Sequence, residues 1–76
     1  MVTEKTESTI IIKVSKASTK EFTSWLLKEA KLNKVLVTYV VSHSLFFRNK
    51  IHISTIGADE DIDKYEKYIE NKLMQL

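Results

Sequence analysis

The stretch Val35 to Phe47, VLVTYVVSHSLFF, constrains this chain most. It is dense in β-branched and aromatic side chains and contains neither Gly nor Pro, a composition that favours extended backbone. The next strand-like run, Ile51 to Ile56, is half as long. A long strand beside a short partner leaves backbone N–H and C=O groups without a ladder. Such an edge has to be blunted, covered or paired with another chain. The first expectation is therefore contact with a partner, through an edge formed by Val35, Val37, Thr38 and Val40.

The remaining elements follow from periodicity. Thr9 to Val14 reads as a first strand, with Ile10, Ile12 and Val14 on one face and Ile11 on the other. Ser18 and Glu21 have the spacing of a capping box, and Ala17 and Phe22 that of a hydrophobic staple, so a helix is expected from Ser18. Phe22, Trp25, Leu26 and Ala30 recur at helical spacing, and Asn33 is the expected left-handed stop. A hairpin is expected around Arg48-Asn49-Lys50. A three-residue loop sets Phe47 opposite Ile51, Leu45 opposite Ile53 and His43 opposite Thr55, gathering the apolar residues on one face, with a left-handed residue at Asn49 or Lys50. Gly57, the only glycine, is expected to mark a sharp exit into the last helix. Asp59, Glu60 and Asp61 suit that helix's N-terminal dipole, and Ile62, Tyr65, Ile69, Leu73 and Leu76 form its apolar stripe.

The order is β-α-β-β-α, and the expected fold class is α+β. A three-stranded antiparallel sheet has strand three in the middle and both helices on one face, as in a KH-like or truncated ferredoxin-like fold. Residues 1–8 read as a flexible arm and 9–76 as a single domain. On the uncovered face fall Ile11, Leu36, Val40, Phe46 and Ile56, enough apolar residues to suggest a contact surface.

At 76 residues the core is small, and the usual supports are disulfides, a metal, oligomerisation or very regular packing. The chain has no cysteine, which removes disulfides and thiolate metal sites and fits a reducing compartment. His43 and His52 are expected on opposite faces and too few for a metal site. A single glycine excludes a Gly-rich phosphate loop, and no nucleophile is set beside a base by any motif. The expectation is a noncatalytic protein with no cofactor. The N-terminus lacks the apolar core of a signal peptide, and no apolar run is long enough to span a membrane; a cytoplasmic location is expected.

The net charge of +2 is small, but its distribution is uneven. Lys13 to Lys50 carries a balance of +6 and Asp59 to Leu76 one of −3. Lys13, Lys16, Lys28, Lys31, Lys34, Arg48 and Lys50 are accordingly candidate nucleic-acid contacts. Lysines act as phosphate point charges rather than base readers, so weak, salt-dependent binding is the alternative function. A virus- or plasmid-encoded protein inhibitor is a further alternative, since such proteins also use strand edges.

The alternating strand Ile10-Ile11-Ile12-Lys13-Val14, the Ser18 to Glu21 helix start, the hairpin strand Asn49-Lys50-Ile51-His52-Ile53 and the Ala58-Asp59 turn before a long helix together resemble the small dimerisation subunit of the KEOPS complex, or its archaeal paralogue. KEOPS makes the threonylcarbamoyl modification on adenosine in tRNA. The last helix departs from the family pattern, reading Ile62-Asp63 and Glu66-Lys67-Tyr68-Ile69 where Leu-Arg and Asn-Ser-Tyr/Phe-Leu runs are common. The resemblance implies a noncatalytic accessory subunit. It would form a homodimer or a heterodimer with a paralogue, dock on the catalytic subunit of KEOPS and lie near tRNA.

Overall fold

The computed structural model describes residues 5–45 and 47–76. The elements are β1 (Lys5–Ser15), a 3-10 turn (Lys16–Ser18), α1 (Thr19–Leu32), β2 (Leu36–Ser42), β3 (Arg48–Ala58) and α2 (Asp59–Gln75). The fold is α+β, with one antiparallel sheet in the order β1-β3-β2 and both helices on one face, as the periodicity predicts.

β3 is the hub. Its residues alternate in burial, with Asn49, Ile51, Ile53, Thr55 and Gly57 turned inward. β1 pairs with it along its whole length, from Lys5 opposite Ala58 to Ser15 opposite Arg48. β1 therefore begins four residues before the expected start at Thr9, and residues 5–8 belong to the strand rather than to an arm. Side chains on this segment account for the extension. The Thr6 hydroxyl donates to an Asp59 carboxylate oxygen and the Ser8 hydroxyl to Glu66 Oε2 at 2.9 Å, tying β1 to the start and middle of α2.

The hairpin differs from expectation in register. Val41, not Phe47, lies opposite Ile51; Tyr39 lies opposite Ile53 and Val37 opposite Thr55. The slide is by six residues, an even number, so the residues that remain in β2 keep their expected faces, while Leu45 and Phe47 leave the sheet. The connection is residues 43–47, and Arg48-Asn49-Lys50 belong to β3. The cause lies at the end of α1. Lys34, at φ 60°, is the left-handed stop among the described residues, in place of Asn33, Asn49 or Lys50. The Val35 N–H then donates to Ala30 O at 3.1 Å, the closing bond of a Schellman stop. Val35 is thereby delivered against Gly57, where a Cβ would meet Val35 Cγ1 at 3.0 Å. With its start fixed beside Gly57, β2 reaches the other end of β3 by Ser42. Gly57 is thus needed for close approach within β3 and makes no sharp exit.

The core joins Val14, Val35, Ile51 and Ile53 of the sheet side to Phe22, Leu26 and Ala30 of α1 and Ile62, Tyr65 and Ile69 of α2. The Ser18 capping box does not form at the N-terminus of α1, and Ala17 is exposed, so no staple closes; the 3-10 turn leads in instead. Trp25 is half-buried beside Phe22, with Lys72 Nζ 5.9 Å from its ring centre and 3.8 Å from Glu21 Oε1. Across the helix pair the fully buried Tyr65 hydroxyl donates to Leu26 O at 2.7 Å.

Two predictions follow from these contacts. Burial first, and the charge of Glu29 second, push the Tyr65 hydroxyl well above the usual tyrosine value near 10. The folded state keeps the proton while the unfolded chain loses it, so this contribution is complete below about pH 10 and declines as pH rises further. Tyr65→Phe should cost about 1 kcal/mol at neutral pH in urea melts, and should lose stability less steeply than wild type above pH 10. Lys34→Gly relieves the left-handed backbone and should add about 1 kcal/mol, raising Tm by roughly 4–8 °C in a calorimetric scan.

Candidate interaction surfaces: a charge-free edge and a basic cup

The uncovered face of the sheet is a grid set by the two registers. Glu7, Ile56 and Leu36 form one row; Thr9, Ser54 and Thr38 the next; then Ile11, His52 and Val40; then Lys13, Lys50 and Ser42. The face is acidic at one end and basic at the other. Leu36 is 69% exposed and Val40 65%, and Ile11 and Ile56 are also exposed, as expected. The hydroxyl row divides these four into two pairs, so they do not make one continuous apolar patch. Phe46, expected on this face, lies outside the described residues.

The sheet has two outer edges. β2 is not the surplus strand expected from Val35–Phe47: all of Leu36–Ser42 pairs with β3 on its inner side, and only its outer side is open. Val37, Thr38 and Val40 lie on that edge. Val35 does not, since it precedes the strand and is buried against Gly57. The edge sequence, LVTYVVS, has no charge and no proline, and its ladder runs without a bulge. β1, the other edge, carries Lys5, Glu7 and Lys13 in its sequence. Charges blunt an edge against pairing, and β2 has none. On its helix-side face Val37, Tyr39 and Val41 are only half-buried. Leu27 is exposed on α1 about 200° around the helix from Trp25, hence on the flank turned away from α2.

The basic candidates separate into two groups. Lys13, Arg48 and Lys50 converge on one cup of about 600 Å³, together with Ser42, His43 and Phe47. Lys16 sits beside this end, its N–H donating to Phe47 O at 3.2 Å. Lys28, Lys31 and Lys34 lie along α1 and its stop, and α1 runs from Thr19, hydrogen-bonded to Asn49, toward Val35 beside Gly57. Asn49 and Gly57 are separated by about 27 Å of strand, so these three lysines belong to the helix layer and largely to the far end of the molecule.

Asn49 holds the cup's loop. Its buried amide accepts the Ser44 N–H at Oδ1 (3.3 Å) and donates from Nδ2 to Thr19 Oγ1 (3.1 Å), which in turn donates to Ser15 O (2.8 Å). One side chain thus fastens Ser44 to the entry of α1. The connection presents Leu45, 98% exposed, and Phe47, 89% exposed, where the expected register would have placed both in the sheet. Reading Asn49 as a turn residue concealed this role; the available signal was its alternation with Ile51 and Ile53. His43 lies at the cup and His52 in mid-sheet, and among the described residues no group of three or more His, Cys, Asp or Glu could hold a metal. Among the described residues no helix is long and apolar enough to cross a membrane.

No family model, curated protein or solved structure matches this chain.

Asn49→Ala should cost about 1–3 kcal/mol, because the half-buried Ser44 N–H and Thr19 hydroxyl each lose the bond to Asn49. Hydrogen exchange should show the added opening concentrated in residues 43–47 and the first turn of α1, rather than spread over the sheet.

Proposed function

We propose that this chain is a noncatalytic scaffold subunit that pairs with a second copy of itself through the outer edge of β2. The observation that carries the reading is the unprotected edge: seven residues without charge, proline or bulge, beside a β1 edge that is charged. A two-fold axis normal to the sheet sets β2 antiparallel to its copy and keeps both uncovered faces on one side. Main-chain hydrogen bonds supply the affinity, as in β-augmentation. The absence of charge in β2 means no like charges meet across such a seam, which favours an isologous pair. With the axis at Tyr39, the middle residue of the strand, two tyrosines become cross-strand neighbours. The Leu27 flanks of the two α1 helices approach over the same seam, adding apolar area to the strand contact.

A sheet continued across two chains is also what the resemblance to the small KEOPS subunit implies. The proposal therefore extends to a place as an accessory subunit in tRNA modification, which recovery of a catalytic ATP-dependent subunit with the tagged chain from its host would support.

Sedimentation at micromolar concentration tests the pairing itself. The wild type should run as a dimer, and Thr38→Lys/Val40→Lys, two exposed positions on the edge, should run as a folded monomer. A wild-type monomer, or a dimer indifferent to these substitutions, sinks the reading.

A further inference from the structure

We propose that the basic cup is a binding site for single-stranded nucleic acid, with Lys13, Lys50 and Arg48 on the phosphodiester backbone and one base stacked on Phe47. The inference does not rest on pairing through β2.

The first observation is an electrostatic cost. Lys13 and Lys50 are direct cross-strand partners on the uncovered face, and like charges in that position destabilise a sheet. Arg48 points to the same face two residues along β3, about 7 Å away. No acidic side chain lines the cup among the described residues. Three cations are therefore held together without an internal counter-charge, an arrangement that an anion converts from a cost into a gain.

The second observation is the ring beside them. Phe47 lines the same cup while remaining 89% exposed. A polyphosphate or an acidic peptide would engage the cations and leave that ring unused. A nucleotide uses both, since its phosphate meets the lysines and its base has a π-face to stack. The cup's 600 Å³ volume leaves room for such a group. Beyond it the surface continues as the row Ile11, His52 and Val40, on which a following base would lie. A duplex offers no exposed base face to Phe47, so the site favours single strands. Lys28, Lys31 and Lys34 take no part, because they lie outside the cup.

Fluorescence anisotropy with a labelled pyrimidine oligonucleotide, as DNA and as RNA, and with the matching duplex, tests this across a salt series. The single strand should bind more tightly than the duplex; the DNA and RNA arms show whether the ribose hydroxyl matters. Lys13→Ala/Lys50→Ala should reduce the salt slope by about 1–2. Phe47→Ala should weaken binding roughly tenfold with the slope unchanged. Lys28→Ala/Lys31→Ala should leave affinity within about twofold, as substitutions outside the phosphate contacts do. All substituted side chains are exposed, and thermal melts of the unliganded variants establish that each is folded. Removing the opposed lysines should leave the free protein at least as stable as wild type. No binding at low salt, equal affinity for duplex, an equal loss in the α1 variant, or indifference to Phe47→Ala would each overturn the assignment.

Discussion

The structure depends on β3 being satisfied on both sides and on one face at once. Its eleven residues pair with β1 along their whole length and with β2 along most of it, and its inward residues form the floor of the core. A strand in that position cannot slide. A one-residue slip would turn Ile51 and Ile53 outward and Lys50 and His52 inward, exchanging buried aliphatics for groups that are expensive to bury. Both helices dock on this floor, so their positions inherit its register. The Tyr65 to Leu26 hydrogen bond then links the two helices above it.

What remains free is the sliding of β2 by even steps, and packing at the end of α1 decides it. The Schellman bond to Ala30 delivers Val35 to a spot where a Cβ on Gly57 would crowd its Cγ1. The packing of Val35 where a Cβ on Gly57 would stand acts as a positional lock at one end, and the buried Asn49 amide acts at the other, where it takes up the Ser44 N–H and the Thr19 hydroxyl. Between these two points β2 has room for seven residues, and Leu45 and Phe47 have to leave the sheet. The exposed loop carrying Phe47 is a consequence of that arithmetic, not a defect of packing.

This explains which parts were legible. Period-two and helical spacing identify the three strands and two helices, and parity places residues 9–14, 36–41 and 51–56 on their correct faces, because both are local properties of the side-chain sequence; the strand character of residues 5–8 and 48–50 is not legible in this way. Register is a long-range property. Either loop length gathers apolar residues on the core face, so hydrophobicity could not choose between Phe47 and Val41 as the partner of Ile51. The choice rests on a left-handed Lys34, a residue with no intrinsic liking for that conformation, and on a buried Asn49 whose composition suggests a turn. The same limit applied to the basic residues. Charge counting assembled seven candidates along the sequence, whereas the β1–β3 register brings Lys13 and Lys50 face to face and the α1 path takes Lys28 and Lys31 away.

The two proposed surfaces share β2 without competing for it. The seam uses the strand's outer edge, and the cup begins where the strand ends, at Ser42 and His43. A two-fold axis normal to the sheet through Tyr39 would carry the second cup to the opposite end of the joined sheet while keeping it on the same side. The two cups would then lie on a diagonal, separated by the Val40 and Leu36 positions of both copies. A flexible strand held by its phosphates at one cup could cross that uncharged middle and reach the other. The linkage is one of effective concentration, since engagement of the first cup confines the ligand near the second. Pairing through a charge-free edge and binding at a charged end would in this way be complementary features of one sheet: the first would create no repulsion between copies, and the second would supply, twice, the Lys13, Lys50 and Arg48 cluster.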